Sequence, residues 1–162
     1  MVTTEVFKRV MRCWASTVTI ITTRHNDVVH GLTATAFSSL NANPPQVLVC
    51  IYKQARTHAL VEQSGVFCVN FLSTAMLSVS DRFAGRHPAE DRFQGVRFRA
   101  EATGAPVLSD AIAYLDCRVA RALDAGEHTV FIGDVVAADV QEGTQTPLLY
   151  FNGAYFALGE KL

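Results

Sequence analysis

A chain of 162 residues, 49% of them hydrophobic, has the length of one domain and enough apolar material for a sizeable core. Its formal net charge of −1 gives no electrostatic basis for binding nucleic acid or an anionic membrane, both of which require a basic excess. Glu5, Lys8, Arg9 and Arg12 stand where a secretory leader needs an apolar core, and the longest apolar run, Val47 to Tyr52, is far too short to span a bilayer, so a cytoplasmic protein is expected.

Thr3 or Thr4 offers a cap, Glu5 sits in the first turn, and Phe7, Val10, Met11 and Trp14 recur at helical spacing, which predicts an amphipathic helix of about three turns. Its stripe reads as core or subunit contact rather than a cofactor site. Thr17–Thr23 is rich in β-branched residues, His25-Asn26-Asp27 is a turn signal, and Val28–Phe37 returns as a second strand, so the two form a hairpin. A turn follows, with Ser38, Ser39, Asn41 and Asn43, and Pro44-Pro45 sets an extended entry into a buried strand, Gln46–Tyr52. Lys53, Gln54, Arg56 and Thr57 make a basic turn, with Thr57 as the cap of a short helix, His58–Ser64, that stops at Gly65.

Gly31 to Thr57 reads as a ligand cradle. Gly31 lets a flat ligand approach the backbone closely, and Thr33, Thr35, Ser38 and Ser39 supply uncharged hydrogen-bonding groups. Two cations beside a helix N-terminus suit a phosphate.

Val66–Leu72 is the next strand, followed by Ser73-Thr74 as a cap and a helix, Ala75–Ala84, ended by Gly85. The mostly polar run from His87 to Gln94 reads as an exposed excursion, and Val96–Ala102 as a short strand broken by Gly104-Ala105-Pro106. Ile112–Leu123 alternates, with Leu115, Cys117 and Val119 on one face and Asp116 and Arg118 on the other. Through the turn Asp124–Glu127 it returns as Thr129–Val140, the longest hairpin of the chain. After a polar turn, Gln141–Thr146, Pro147 opens Leu148–Phe151, and Asn152-Gly153 turns the chain into Ala154–Leu158.

The sum is a mainly β chain: an antiparallel, barrel-like sheet with three short helices. A parallel α/β fold is disfavoured because the helices are short and the later half is nearly all strand. Cys13, Cys50, Cys68 and Cys117 form no C-x-x-C pair and read as reduced, mostly buried thiols. No metal-binding spacing exists, and no G-x-G-x-x-G follows a strand, so neither a metal centre nor a Rossmann dinucleotide unit is expected.

The order Gly-x-Thr-Ala, hydroxyl-rich turn, Pro-Pro, hydrophobic strand and basic turn resembles the short-chain NAD(P)H:flavin reductases, the reductase components of two-component aromatic monooxygenases of the 4-hydroxyphenylacetate type. The similarity continues through Phe67–Leu72, Asp81-Arg82-Phe83-Ala84-Gly85, Gly126-Glu127-His128 and Pro147–Tyr150, and spans about Phe7 to Leu158 as one domain. It implies an FMN-binding split β-barrel, a homodimer with the flavin beside the subunit interface, reduction of free FMN or FAD by NADH or NADPH, and a separate monooxygenase as the recipient of reduced flavin. For the site it implies Thr33, Ala34 and Thr35 along the isoalloxazine, and Ser38 and Ser39 near its pyrimidine edge or ribityl chain. Lys53, Gln54, Arg56 and Thr57 fall at the phosphate, with Phe83, Ala84, Gly126 and Tyr155 also against the cofactors, and the segment 87–94 becomes a lid bordering the flavin.

His128 matches a Gly-Asp-His segment associated with NAD(P)H, and is the candidate catalytic residue; Glu127 replaces the usual Asp. On its own, His128 would be read as a hairpin-turn histidine in water, as His25, His30, His58 and His87 are. Tyr155 stands by a cofactor ring or in the core, and Phe156 in the core. Two other functions fit the same barrel: an FMN-binding electron carrier, and an oxidase of the pyridoxamine-phosphate type.

Overall fold

The computed structural model describes residues 1–86, 91–141, 143 and 146–161. Helix α1, Thr4–Met11, is capped by Thr3, whose hydroxyl accepts from Val6 N at 3.3 Å. The strands β1, Ser16–Thr17, and β2, Thr19–His25, follow; Asn26, at φ 52°, turns β2 into β3, Val28–Ala34. β4, Phe37–Ala42, and β5, Pro45–Tyr52, form a second hairpin, leading to α2, Arg56–Ser64, and β6, Val66–Phe71. A 3₁₀ turn, Thr74–Met76, runs into α3, Leu77–Phe83. The short β7, Phe98–Ala100, and β8, Pro106–Leu108, pair with each other before the long hairpin of β9, Ala113–Ala125, and β10, His128–Val140. β11, Leu149–Phe151, and β12, Ala154–Phe156, close the chain.

Seven strands form one antiparallel sheet in the order β3-β2-β6-β9-β10-β5-β4, so β3 and β4, joined by only Thr35 and Ala36, stand at its two edges. The hairpins β2–β3 and β4–β5 thus flank the central strands β6, β9 and β10, as the antiparallel reading of the sequence expects. β1, β11 and β12 make a separate three-stranded sheet.

The period of two along β2 divides the interior. Ile20 packs with Val18, Leu72, Phe83, Leu108 and Leu148, whereas Ile21 packs with Val49, Ile51, Val61, Phe67 and Phe131. Burying each of these side chains contributes about 1.5–3 kcal/mol. Phe67, fully buried, lies over Gly133, where a Cβ would come within 2.5 Å of its ring. Buried polar groups lock the periphery: Asn70 donates to Ile20 O at 3.2 Å and accepts from Leu108 N at 2.8 Å, and the fully buried Asp116 accepts from Thr103 N at 2.8 Å.

Several expectations change. Ser38 and Ser39 stand on β4, not in a turn, because pairing with β5 extends the chain there. α2 begins at Arg56 with Ala55 as its N-cap, so Thr57 is inside the first turn rather than capping it. α1 ends at Met11, tightened by Trp14 N donating to Met11 O, and Trp14 lies beyond it. The helix expected over Ala75–Ala84 begins as 3₁₀, and the strand expected over Val96–Ala102 shortens to β7. Of the run expected to be exposed, residues 87–90 lie outside those described; Phe93, by contrast, is buried, packed edge-on against Phe83 and Phe98. Phe156 is 47% exposed rather than core. All four cysteines are unpaired, Cys68 and Cys117 buried.

Candidate functional site

The open edge of β3 is the starting point. Gly31 carries no side chain because a Cβ there would meet the Phe83 ring at 2.9 Å and Ile21 O at 3.0 Å. Its carbonyl, facing away from β2, accepts from Arg92 Nη1 at 2.8 Å. Strand alternation then turns the N–H and C=O of Thr33 to the same open side, where no further strand meets them. The Thr33 side chain is already committed, donating to Ser80 O at 2.6 Å.

Across from this edge, β5 and β10 pair in the register His128↔Tyr52. Cys50 and Tyr52 lie on the face opposite the buried Val49 and Ile51, and the Tyr52 and His128 rings sit 5.4 Å apart. Between the two walls lies a cleft of about 340 Å³, floored by Ala34, Ala36 and Ala84 and closed at one end by Phe83 and Arg92. Its lining combines alanine, leucine and aromatic side chains with Thr33, Thr35, Arg92 and His128. Burial raises the Cys50 thiol pKa, so this thiol stays protonated at neutral pH.

Thr33, Ala34, Thr35 and Ala84 also face a second pocket, walled by Val18, Arg86, Tyr150 and Tyr155. Its two tyrosine rings meet edge to face at 5.5 Å. Tyr155 hydroxyl donates to Asp81 Oδ1 at 3.1 Å and lies 3.0 Å from Ser80 Oγ, while Arg86 donates to the same Asp81 oxygen and lies over the Tyr155 ring. Burial, chiefly, pushes the Tyr155 pKa up.

Beyond Arg92 lies a third basin, with His30, Arg56 and Asp91 among its walls. His30 Nδ1 is 2.8 Å from Thr57 Oγ1. Burial, followed by the nearby Arg92 and Arg56 charges, lowers the His30 pKa to about 4, so its imidazole is neutral at neutral pH. The first turn of α2, uncapped by any side chain, stands between the cleft and this basin, with Ala55 lining one and Arg56 the other.

Of the residues singled out in the sequence, Thr33, Ala34, Thr35, Phe83, Ala84 and His128 meet in the cleft, and Tyr155 joins through the adjoining pocket. Arg56 reaches the basin; Thr57 is fully buried and touches it only through His30. Others are not brought in. Lys53 pairs with Asp124 at 2.5 Å on the exposed hairpin end, Gln54 is exposed in the turn before α2, and Gly126, at φ 72°, shapes the turn that delivers His128. Ser38 shares the face of Leu48 but lies outside the cleft lining, and Ser39, across from Val47, lines a separate surface pocket.

Sequence reasoning missed Arg92, His30, Tyr52, Cys50, Arg86 and Tyr150. Outward alternation along β5 marks Cys50 and Tyr52 once the strand is known. Nothing local marks Arg92 or His30, whose roles come from chain segments that meet only on folding.

The neutral floor, the free edge of a strand and a basic end beside a helix start are a donor set that fits a flavin: a planar, largely apolar ring with a polar rim and a phosphate. Comparison with known proteins agrees. The reductase subunit HsaB of a flavin-dependent monooxygenase from Mycobacterium tuberculosis is 37% identical over 150 residues, covering 92% of this chain and 79% of that protein. A flavin reductase (NADH) from Kitasatospora aureofaciens is 40% identical over 154 residues, covering 93% and 80%. The native-state structure of the flavin reductase PheA2 superposes with a TM-score of 0.89 at 39% identity, covering 98% of this chain and all of that one. Residues 11–159 match the family described as the flavin reductase like domain, and the chain belongs to that family.

Proposed function

We propose that the chain reduces free flavin with NADH and supplies the reduced flavin to a separate flavin-dependent monooxygenase. The observation that carries this reading is the convergence of the β3 edge, Ala84 and His128 on one cleft that Arg92 and Ala55, just before α2, also line. The names of the relatives, reductase subunits and an NADH-dependent flavin reductase, support the same pair of substrates.

In this reading Ala34, Ala36 and Ala84 pack against the flavin ring, and the outward N–H and C=O of Thr33 bond its pyrimidine edge. Arg92, Arg56 and the N–H groups of Arg56 and Thr57 at the start of α2 hold the phosphate. Bound there, the flavin supplies the hydride-accepting centre, so the chain needs no strong acid or base for the step. His128 and Tyr52, on the opposite wall, orient the nicotinamide; His128 is the hydrogen-bonding group for its amide. Tyr155, fixed by Asp81 and Ser80, limits how far the rings can slide and keeps water from that side. The gain in rate comes from alignment.

The chain acts as a homodimer in this reading, because the apolar stripe of α1 is left exposed by the described residues, with none of the helix buried. The unpaired thiols suit the reducing cytoplasm, where pyridine nucleotides are available. Among the described residues no helix is long and apolar enough to cross a membrane.

The test is NADH oxidation followed at the nicotinamide absorbance band, with FMN, FAD or no added flavin. Turnover that depends on added flavin is expected. His128→Ala is expected to lower kcat/KM for NADH about 10–100-fold while leaving flavin affinity within about twofold, since each tenfold is about 1.4 kcal/mol of lost contact. Tight flavin binding without NADH oxidation would overturn the reading in favour of an electron carrier.

A further inference from the structure

His58, expected in water from the sequence, is 5% exposed in the first turn of α2. Its Nε2 lies 2.7 Å from Thr129 Oγ1, and its ring packs 5.3 Å from that of Phe131. Thr129 and Phe131 are successive inward positions of β10, so one imidazole grips the strand at both. The residue just before Thr129 is His128, which alternation turns to the opposite face, where it lines the cleft. We propose that His58 is a positioning residue for flavin reduction: through Thr129 it sets the direction from which His128 meets the nicotinamide. The inference rests on the reading of His128 as the group that orients that ring.

His128 needs such an anchor. It is the exposed first residue of β10, beside a turn shaped by Gly126 at φ 72°, and strand ends open more readily than strand centres. Thr129 is 5% exposed, so its hydroxyl needs a partner inside the protein, and His58 supplies it. An apolar side chain at position 58 would cover Phe131 without the desolvation that a buried imidazole costs. What the imidazole adds is a directional bond. The Glu62 carboxylate, one turn along α2, stands 3.5 Å from His58 Nδ1 and favours the ring orientation that sends Nε2 to Thr129. The residue before His58 is tied the other way, since Thr57 Oγ1 lies 2.8 Å from His30 Nδ1 on β3. The first turn of α2 is therefore bonded to both walls of the cleft, and it fixes the spacing across which two rings must stack. Hydride transfer requires reacting atoms about 3–3.5 Å apart, so a small displacement of His128 is felt in the rate.

The test is a set of variants of the full chain, assayed by steady-state NADH oxidation at saturating FMN, with FMN affinity read in parallel by calorimetry. Thr129→Val keeps the β-branched shape and removes the hydroxyl. It is expected to lower kcat/KM for NADH about 3–10-fold, the worth of one hydrogen bond, while FMN affinity stays within about twofold. Thr129→Ser restores the hydroxyl and is expected to recover most of the loss. In a His128→Ala background, Thr129→Val is expected to cost less than about twofold, because the imidazole through which it acts is gone. His58→Leu combined with Thr129→Val leaves no buried polar group of the pair unpaired, and is expected to show the same loss as Thr129→Val alone. This double variant serves if the single one does not fold. Equal losses with and without His128 overturn the inference, since the pair then only holds the fold together. Wild-type kcat/KM in the double variant overturns it as well. If His128→Ala by itself leaves kcat/KM for NADH unchanged, the reading of His128 fails first, and the inference fails with it.

Discussion

Arg92 Nη1 donates at 2.8 Å to the carbonyl of Gly31, tying a segment early in the second half of the chain to the open edge of β3. The same nitrogen reaches Phe83 O at the end of α3, so one guanidinium joins three segments around the basic end of the cleft. Burial lowers the Arg92 pKa, but an arginine remains charged throughout the usual pH range.

Arg92→Ala therefore removes both a positive charge and two hydrogen bonds. Flavin affinity is expected to fall about 10–100-fold, corresponding to roughly 1.5–3 kcal/mol for charge-assisted contacts. Arg92→Lys keeps the charge without the fork and is expected to recover only part of the loss. Calorimetric titration with FMN checks both; unchanged affinity in Arg92→Ala would show that this end does not hold the phosphate.

Gly133 tests the packing that places the second wall. A Cβ there would lie 2.5 Å from Phe67 Cζ and 2.9 Å from Cys117 Cβ, both on fully buried side chains. Gly133→Ala is expected to destabilise the fold by about 1–3 kcal/mol, the range for overpacking a dense core. Phe67→Leu, destabilising by itself, is expected to restore part of the stability when combined with it, giving a non-zero coupling in a double-mutant cycle by urea denaturation. Strict additivity would show that the Phe67 ring is not what the alanine meets.

Local pattern made the hairpins legible: β2 and β3 around Asn26, β9 and β10 around Gly126, β11 and β12 around Asn152-Gly153 all announce themselves by alternation and turn residues. So did the cleft residues Thr33–Thr35 and His128, though through a resemblance of motifs. What stayed hidden depends on contacts distant in sequence. Lys53 looks like a phosphate ligand until the hairpin brings Asp124 to it. Thr57 looks like a cap until His30 takes its hydroxyl. Phe93 sits in a polar run and is buried only because Phe83 and Phe98 converge on it.

His30 predicts a pH dependence. Its pKa falls from 6.5 to about 4 on folding, so between those values the unfolded chain binds more protons than the folded one. The stability associated with the neutral imidazole is therefore complete above pH 6.5 and is lost as pH falls toward 4. His30→Asn, which keeps a polar partner for Thr57, is expected to flatten that part of the stability profile, read from urea midpoints across the window. Flavin phosphate beside Arg92 and Arg56 should offset part of their repulsion and raise the His30 pKa, a shift visible in the imidazole NMR titration with and without FMN. An unmoved titration would separate His30 from the anion position.

The last prediction concerns α1. No residue of this helix is buried, and Phe7, Val10 and Met11 are 59%, 62% and 47% exposed, with Trp14 just beyond it at 68%. Eight residues are too few for a stable helix alone, since isolated helices shorter than about 12–15 residues are marginal in water. A partner surface for its stripe is therefore expected, and in the homodimer proposed above a second copy supplies it. Charges on that stripe carry a desolvation penalty only where the stripe is covered. Phe7→Glu with Val10→Glu is thus expected to shift sedimentation from dimer to monomer at micromolar concentration, and to move Trp14 fluorescence to longer wavelength. Flavin turnover should fall with dimer population if the open side of the cleft is closed by the partner. A double variant that remains dimeric, with unchanged Trp14 emission, would place the interface elsewhere and leave α1 without its proposed role.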